Sequence, residues 1–148
     1  MKKIVSLVLS ALLLCTLVLS LASCSTYNSI EKRFVNAGYE VVDTTDEDGN
    51  DFLDFAHELE EGGEVSCTVH ILKKDLVSAA IILEFGADKD AAARLDELLT
   101  EDDYNNFIEA DEKSDYLNGN CVLVPFSLNI FDLEDTIDEM KDIFSGDD

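Results

Sequence analysis

From Ile30 onward the chain switches repeatedly between a helical and an extended hydrophobic period. Ile30, Phe34 and Ala37 fall on one helical face, and Gly38 supplies a stop before a short extended run, Tyr39 to Asp43. The acidic stretch Thr44 to Asn50 predicts a loop. Phe52, Phe55, Ala56 and Leu59 take the i, i+3, i+4 and i+7 places of a second helix, capped near Asn50 or Asp51 and ended by Gly62-Gly63. Val65, Cys67, Val69 and Ile71 alternate with Ser66, Thr68 and His70, the period of a strand with one face buried and one nearer water. Val77, Ala79, Ile81, Leu83 and Phe85 repeat that alternation beyond the polar turn Lys73-Lys74-Asp75, so the two runs predict an antiparallel hairpin. Asp88 is placed to cap a third helix with Ala91, Ala92, Leu95, Leu98 and Leu99 along one side. After a turn at Asn118-Gly119, Cys121 to Phe126 forms a strand that Pro125 draws toward a sheet edge, because proline cannot donate to a ladder. Leu133, Ile137, Met140 and Phe144 make the stripe of a last helix following Asp132.

These elements predict an α+β fold with a four- to five-stranded, mainly antiparallel sheet. Setting aside the two end helices, the order is strand, helix, strand, strand, helix, strand. It resembles the split βαβ order of ferredoxin-like domains, in which the second and fourth strands are the opposite edges. Element order carries no activity with it.

Ahead of this pattern, Lys2 and Lys3 precede an uncharged stretch from Ile4 to Leu21. A charged amino end, an apolar run and small residues after it are the parts of an export signal. The residues that follow, Leu21-Ala22-Ser23-Cys24, resemble the lipobox of bacterial lipoproteins. The resemblance implies that Leu21, Ala22 and Ser23 are read by the signal peptidase, that residues 1–23 are cleaved off, and that Cys24 is lipidated with diacylglycerol and palmitate. Cys24 and residues up to 28 then form a tether, and 29–148 a single small domain. Several acyl chains on one cysteine give stable anchoring. The expected location is the outer face of the cytoplasmic membrane, or the outer membrane where the cell envelope has two.

Charge narrows the partners. The chain of 148 residues carries 33 acidic and 10 basic side chains, a net charge of −23, and loss of Lys2 and Lys3 takes the exported part to −25. Such a body is repelled by nucleic acid, which is excluded as a partner. Residues 39–64 hold 11 acids and no Lys or Arg, and residues 101–148 hold 15 acids against 2 bases. A basic protein or cations are therefore the partners that charge alone admits, alongside the membrane reached through the lipid, and the domain is expected to be monomeric. Residues 31–33, with Glu31 flanked by Lys32 and Arg33, and the pair Lys73-Lys74 are the basic spots expected to turn toward lipid headgroups.

No residue constellation announces a reaction. Asp46, Asp48, Asn50 and Asp51 superficially resemble a calcium loop, but setting Gly49 at the sixth position of an EF-hand puts Thr44 first and Phe55 twelfth, where carboxylates are required. They stay weak metal candidates. His57 and His70 lie on different elements, and no paired-cysteine motif accompanies them. Cys67 and His70 are three apart on a strand and point to opposite faces, so neither activates the other. For Cys67 and Cys121, export favours a disulfide, whereas the expected strand order separates them beyond bridging distance and favours free thiols. No cofactor beyond the lipid on Cys24 is implied. The reading is a membrane-anchored, noncatalytic binding or interaction module. Its alternatives are a small envelope enzyme or enzyme accessory using unmarked carboxylates, and a low-affinity divalent-cation binder.

Overall fold

A computed structural model describes residues 26–44, 51–101, 108 and 110–146. A helix covers residues 26–36 (α1). It is followed by β1 (Glu40–Val42), α2 (Asp51–Glu61), β2 (Thr68–Lys73), β3 (Ser78–Glu84) and α3 (Asp88–Leu98). A 3-10 stretch at Ala110–Tyr116 then leads into β4 (Leu117–Asn118), β5 (Cys121–Ser127) and α4 (Leu133–Ser145). The protein is α+β, and its five strands form one antiparallel sheet in the order β1-β2-β3-β5-β4.

The chain order strand, helix, strand, strand, helix, strand is present, with β4 inserted ahead of the last strand. The lateral order differs from the expectation that the second and fourth strands are opposite edges. Here β2 and β5 both flank β3. A ferredoxin-like sheet would place the first strand in the middle, but β1 has only three residues, with Glu40 exposed and Val41 52% exposed. A short strand with those side chains suits an edge, whereas the apolar runs of β3 and β5 suit the interior.

Helices cover both faces of the sheet. Residues paired across strands share a face, so the register puts His70, Ile82 and Leu123 on one side and Val69, Leu83 and Val122 on the other. Tyr27 of α1 stacks on His70, and the Asn118 amide donates to the Phe144 carbonyl of α4, which puts α1 and α4 on the first side. Phe55 of α2 packs on Phe126, and Arg94 of α3 donates to the Leu59 carbonyl of α2, which puts α2 and α3 on the second. The half-exposed alternation expected for β3 is consequently absent. Ala80 and Ile82 are as buried as Ala79 and Ile81, because the face expected to meet water meets α1 and α4 instead. Pro125 is tolerated for a local reason: β4 pairs only with Cys121 and Val122, so the Pro125 stretch of β5 has a strand neighbour on one side alone.

Several local signals act as expected and others are displaced. Gly38, at φ 93°, ends α1, with the Tyr39 amide bonding back to the Phe34 carbonyl and the Gly38 amide to Val35, a Schellman arrangement. Ala37 lies exposed in that turn, and the apolar face of α1 is instead extended backward by Tyr27. The turn between β2 and β3 is closed by Asp75, whose carboxylate accepts the amides of Val77 and Ser78 at 2.8 and 2.7 Å. Asp88 is the first residue of α3, not its cap; Ala87 holds that place without a side-chain bond. Gly62 and Gly63 end α2 where the buried Arg94 guanidinium passes, and a Cβ at Gly62 would sit 3.1 Å from Arg94 Nη2.

Candidate interaction surface

The sheet has two ends with different chemistry. At the end where β3 finishes and β5 begins, Thr68, Glu84 and Cys121 are neighbours across three strands on the α1 side. His70 Nε2 lies 2.9 Å from Glu84 Oε2, and the Tyr27 ring stacks on the imidazole with centroids 3.5 Å apart. Burial, reinforced by Glu31 and Glu84, pushes the Tyr27 hydroxyl well above the usual tyrosine range. Burial, with Glu84 and Asp88 nearby, pushes the Cys121 thiol up to about 12. A thiol held protonated in this way is not a nucleophile at neutral pH.

A cleft of about 180 Å³ opens on the other side of the sheet, lined by His57 and Glu60 of α2 and by Cys67 and Val69. His57 Nδ1 stands 3.7 Å from Glu60 Oε2. Here too burial, helped by Glu60 and opposed by Arg94, raises the Cys67 thiol, which disfavours the thiolate that chemistry would need. Cys67 lines this cleft while His70 faces α1, so the pair is on opposite faces as the strand period predicts. Both Cys67 and Cys121 are free thiols. The reason differs from the one expected, since Cys67 lies just ahead of β2, and β2 and β5 are not opposite edges. They are separated by β3, hence by two strand spacings of about 4.8 Å, beyond the roughly 7 Å Cα limit for a bridge.

The opposite end of the sheet carries apolar side chains in water. Leu76 in the β2–β3 turn is 86% exposed, and beyond β5 Leu128, Ile130 and Phe131 are 53%, 77% and 90% exposed. The two loops are joined by the Leu128 amide, which donates to the Val77 carbonyl at 2.8 Å. The second loop is ordered by Asn129: its backbone amide donates to Ser127 Oγ, its Oδ1 accepts the Phe131 amide, and its Nδ2 donates to Asp132. Ile130 and Phe131, with Leu133 and Ile137 of α4, line a groove of about 430 Å³ whose polar rim is Glu134, Asp138 and Lys141. Lys141 is buried and bonded to Glu112 and Asp138. Burial alone would lower its pKa, but those two carboxylates more than offset it and hold the ammonium charged.

Leu21, Ala22, Ser23 and Cys24 lie outside the described residues, as do Asp46, Asp48 and Asn50; Asp51 opens α2. Periodicity did not single out Leu76, Leu128, Ile130 or Phe131. Their signal was compositional, large apolar residues set between turn formers, as in Leu128-Asn129-Ile130-Phe131-Asp132. No family model, curated protein or solved structure matches the chain.

Proposed function

We propose that this protein is a membrane-anchored extracytoplasmic lipoprotein that works as a noncatalytic interaction module. The observation that carries the reading is the set of exposed apolar side chains on two hydrogen-bonded loops, since large apolar groups left in water on an ordered surface mark a place where another molecule docks. Anchoring rests on Leu21-Ala22-Ser23-Cys24 and agrees with an α1 that is already helical at residue 26, two positions beyond Cys24. Residues 26–28 thus belong to the helix, and the expected tether up to 28 is shorter.

The helix also gives the module a direction. Thr26 packs at Gly119 and Tyr27 on His70, at the Cys121 end of the sheet, whereas Leu76 and Leu128 leave from the Ser127 end. The length of β5 puts about 20 Å between them. An anchor at Cys24 therefore holds the apolar loops away from the bilayer. Lys73 and Lys74 sit at that far end, and Lys74 is bonded to Glu139 at 2.6 Å, so the expectation that they and residues 31–33 together face headgroups is replaced by this orientation. The experiment is palmitate labelling of the parent and of Cys24→Ala, combined with a photo-cross-linker placed at Phe131 or, as a control, at Glu58. Label lost in Cys24→Ala and a discrete adduct from position 131 alone are expected. Undiminished label, or no adduct from either position, refutes the reading.

A further inference from the structure

We propose that the groove between the Asn129–Asp132 loop and the first half of α4 receives an apolar segment of another protein that also carries lysine or arginine. This rests on the interaction-module reading and names the chemistry of the occupant. Ile130 and Phe131 stand out into water at the mouth of the groove, beside Leu133 and Ile137, and an occupant needs apolar side chains to cover them. The rim of the groove is acidic. Lys141, the single base lining it, is already bonded to Glu112 and Asp138, so among the described residues Glu134 presents a carboxylate without a cation beside the exposed Ile130 and Phe131.

That combination selects among occupants. A second copy of the chain would bring another strongly acidic surface to the same rim, and like charges brought together oppose association. An anionic bilayer would be repelled in the same way, and the Leu128–Asp132 loop that bounds the groove leaves the end of β5 opposite the start of α1, about 20 Å away by the length of that strand and beyond the roughly 8 Å over which headgroup charge acts. A cationic amphipathic segment meets both the exposed apolar side chains and the acidic rim. The loop is also arranged in advance. Asn129 fixes its backbone with three hydrogen bonds, so Phe131 is offered in a defined position and less ordering is lost on binding.

The test uses the lipidated full chain in non-ionic micelles and three fluorescent helical peptides with one leucine-rich face and a polar face of lysine, glutamine or glutamate. The lysine peptide is expected to bind best and the glutamate peptide not at all. Phe131→Ser and Glu134→Lys should each weaken the lysine peptide about tenfold, as loss of a central contact does, while Glu58→Lys, which makes the same change in net charge on α2, should leave it unaltered. All three altered residues are exposed, so folding is preserved; Ile130→Ser repeats the apolar deletion independently. Equal loss from Glu134→Lys and Glu58→Lys would reduce the effect to overall charge and overturn the proposal, as would binding indifferent to Phe131→Ser and Ile130→Ser. Because the chain has no tryptophan, Phe131→Trp reports on the groove directly. A blue shift on adding the lysine peptide supports the proposal. The same shift produced by anionic vesicles, or by raising protein concentration alone, assigns the groove to lipid or to a second copy and overturns it. Failure here with the position-131 adduct retained discards the cationic occupant and leaves the module reading standing.

Discussion

The two ends of the sheet were built from opposite materials and resolve them differently. At the Cys121 end, titratable side chains are drawn inward and answered within the fold: Glu84 meets His70, Tyr27 covers the imidazole, and the Cys121 thiol stays protonated. At the Ser127 end, apolar side chains are pushed outward and left unanswered, with Phe131 and Leu76 almost wholly in water. A polar group that goes unpaired in the interior costs the fold stability, so folding selects its partner. An apolar group in water costs little in the folded state relative to the unfolded one, since it is exposed in both. The first end therefore reports on how the fold holds together, whereas the exposed apolar side chains of the second are not accounted for by folding.

Substitutions should separate the ends by their effect on stability. Tyr27→Ala removes a buried ring from between α1 and His70 and should cost about 3 kcal/mol in urea denaturation, the range for deleting a buried aromatic. If it costs no more than a surface change, the Cys121 end is not part of the structural core and the contrast fails.

Alkaline titration probes the same end. The Cys121 pKa is raised in the folded state from an ordinary value of 9.0 to about 12. The unfolded chain therefore releases this proton first, and the stability contribution is intact below pH 9 and is lost as pH rises toward 12. The loss should approach about 1.4 kcal/mol per pH unit within that window, and Cys121→Ala should flatten it. A slope unchanged by the substitution would show that other groups, such as the raised Tyr27, carry the alkaline loss.

A smaller effect is expected at the junction of α1 with the β4–β5 turn. Gly119 has φ 56°, and a Cβ there would stand 3.3 Å from Thr26 Cγ2. Gly119→Ala should destabilise by about 1 kcal/mol for the left-handed backbone, measured as a lowered urea midpoint. The smallest effect belongs to the other end: Phe131→Ser should change stability by less than about 0.5 kcal/mol. A large loss there would mean that Phe131 supports the fold and is not held out for a partner.

Local periodicity determined much of this protein from sequence alone. The helical stripes of Ala91 to Leu98 and Leu133 to Phe144, a second helix stopped at Gly62-Gly63, the antiparallel pairing of β2 with β3 and the glycine stop at Gly38 depend on neighbours a few residues away and are present, although β2 runs from Thr68 through Lys73, so that Val65 and Cys67 lie ahead of the strand expected to hold them and Lys73 lies within it. The acidity, 33 acidic against 10 basic side chains, was equally legible. Lateral strand order was not, because antiparallel pairing can join β2 to β3 in a hairpin without saying which strand lies beyond, and only the burial of β3 and β5 on both faces placed β1 at the edge. Cys121, His70 and Glu84 are separated by up to 51 positions in the sequence and are brought together only by register across three strands. The candidate surface lay furthest from view. Exposure is a property of what the rest of the chain fails to cover, and no window of sequence around Leu76 or Phe131 contains the helices that could have covered them.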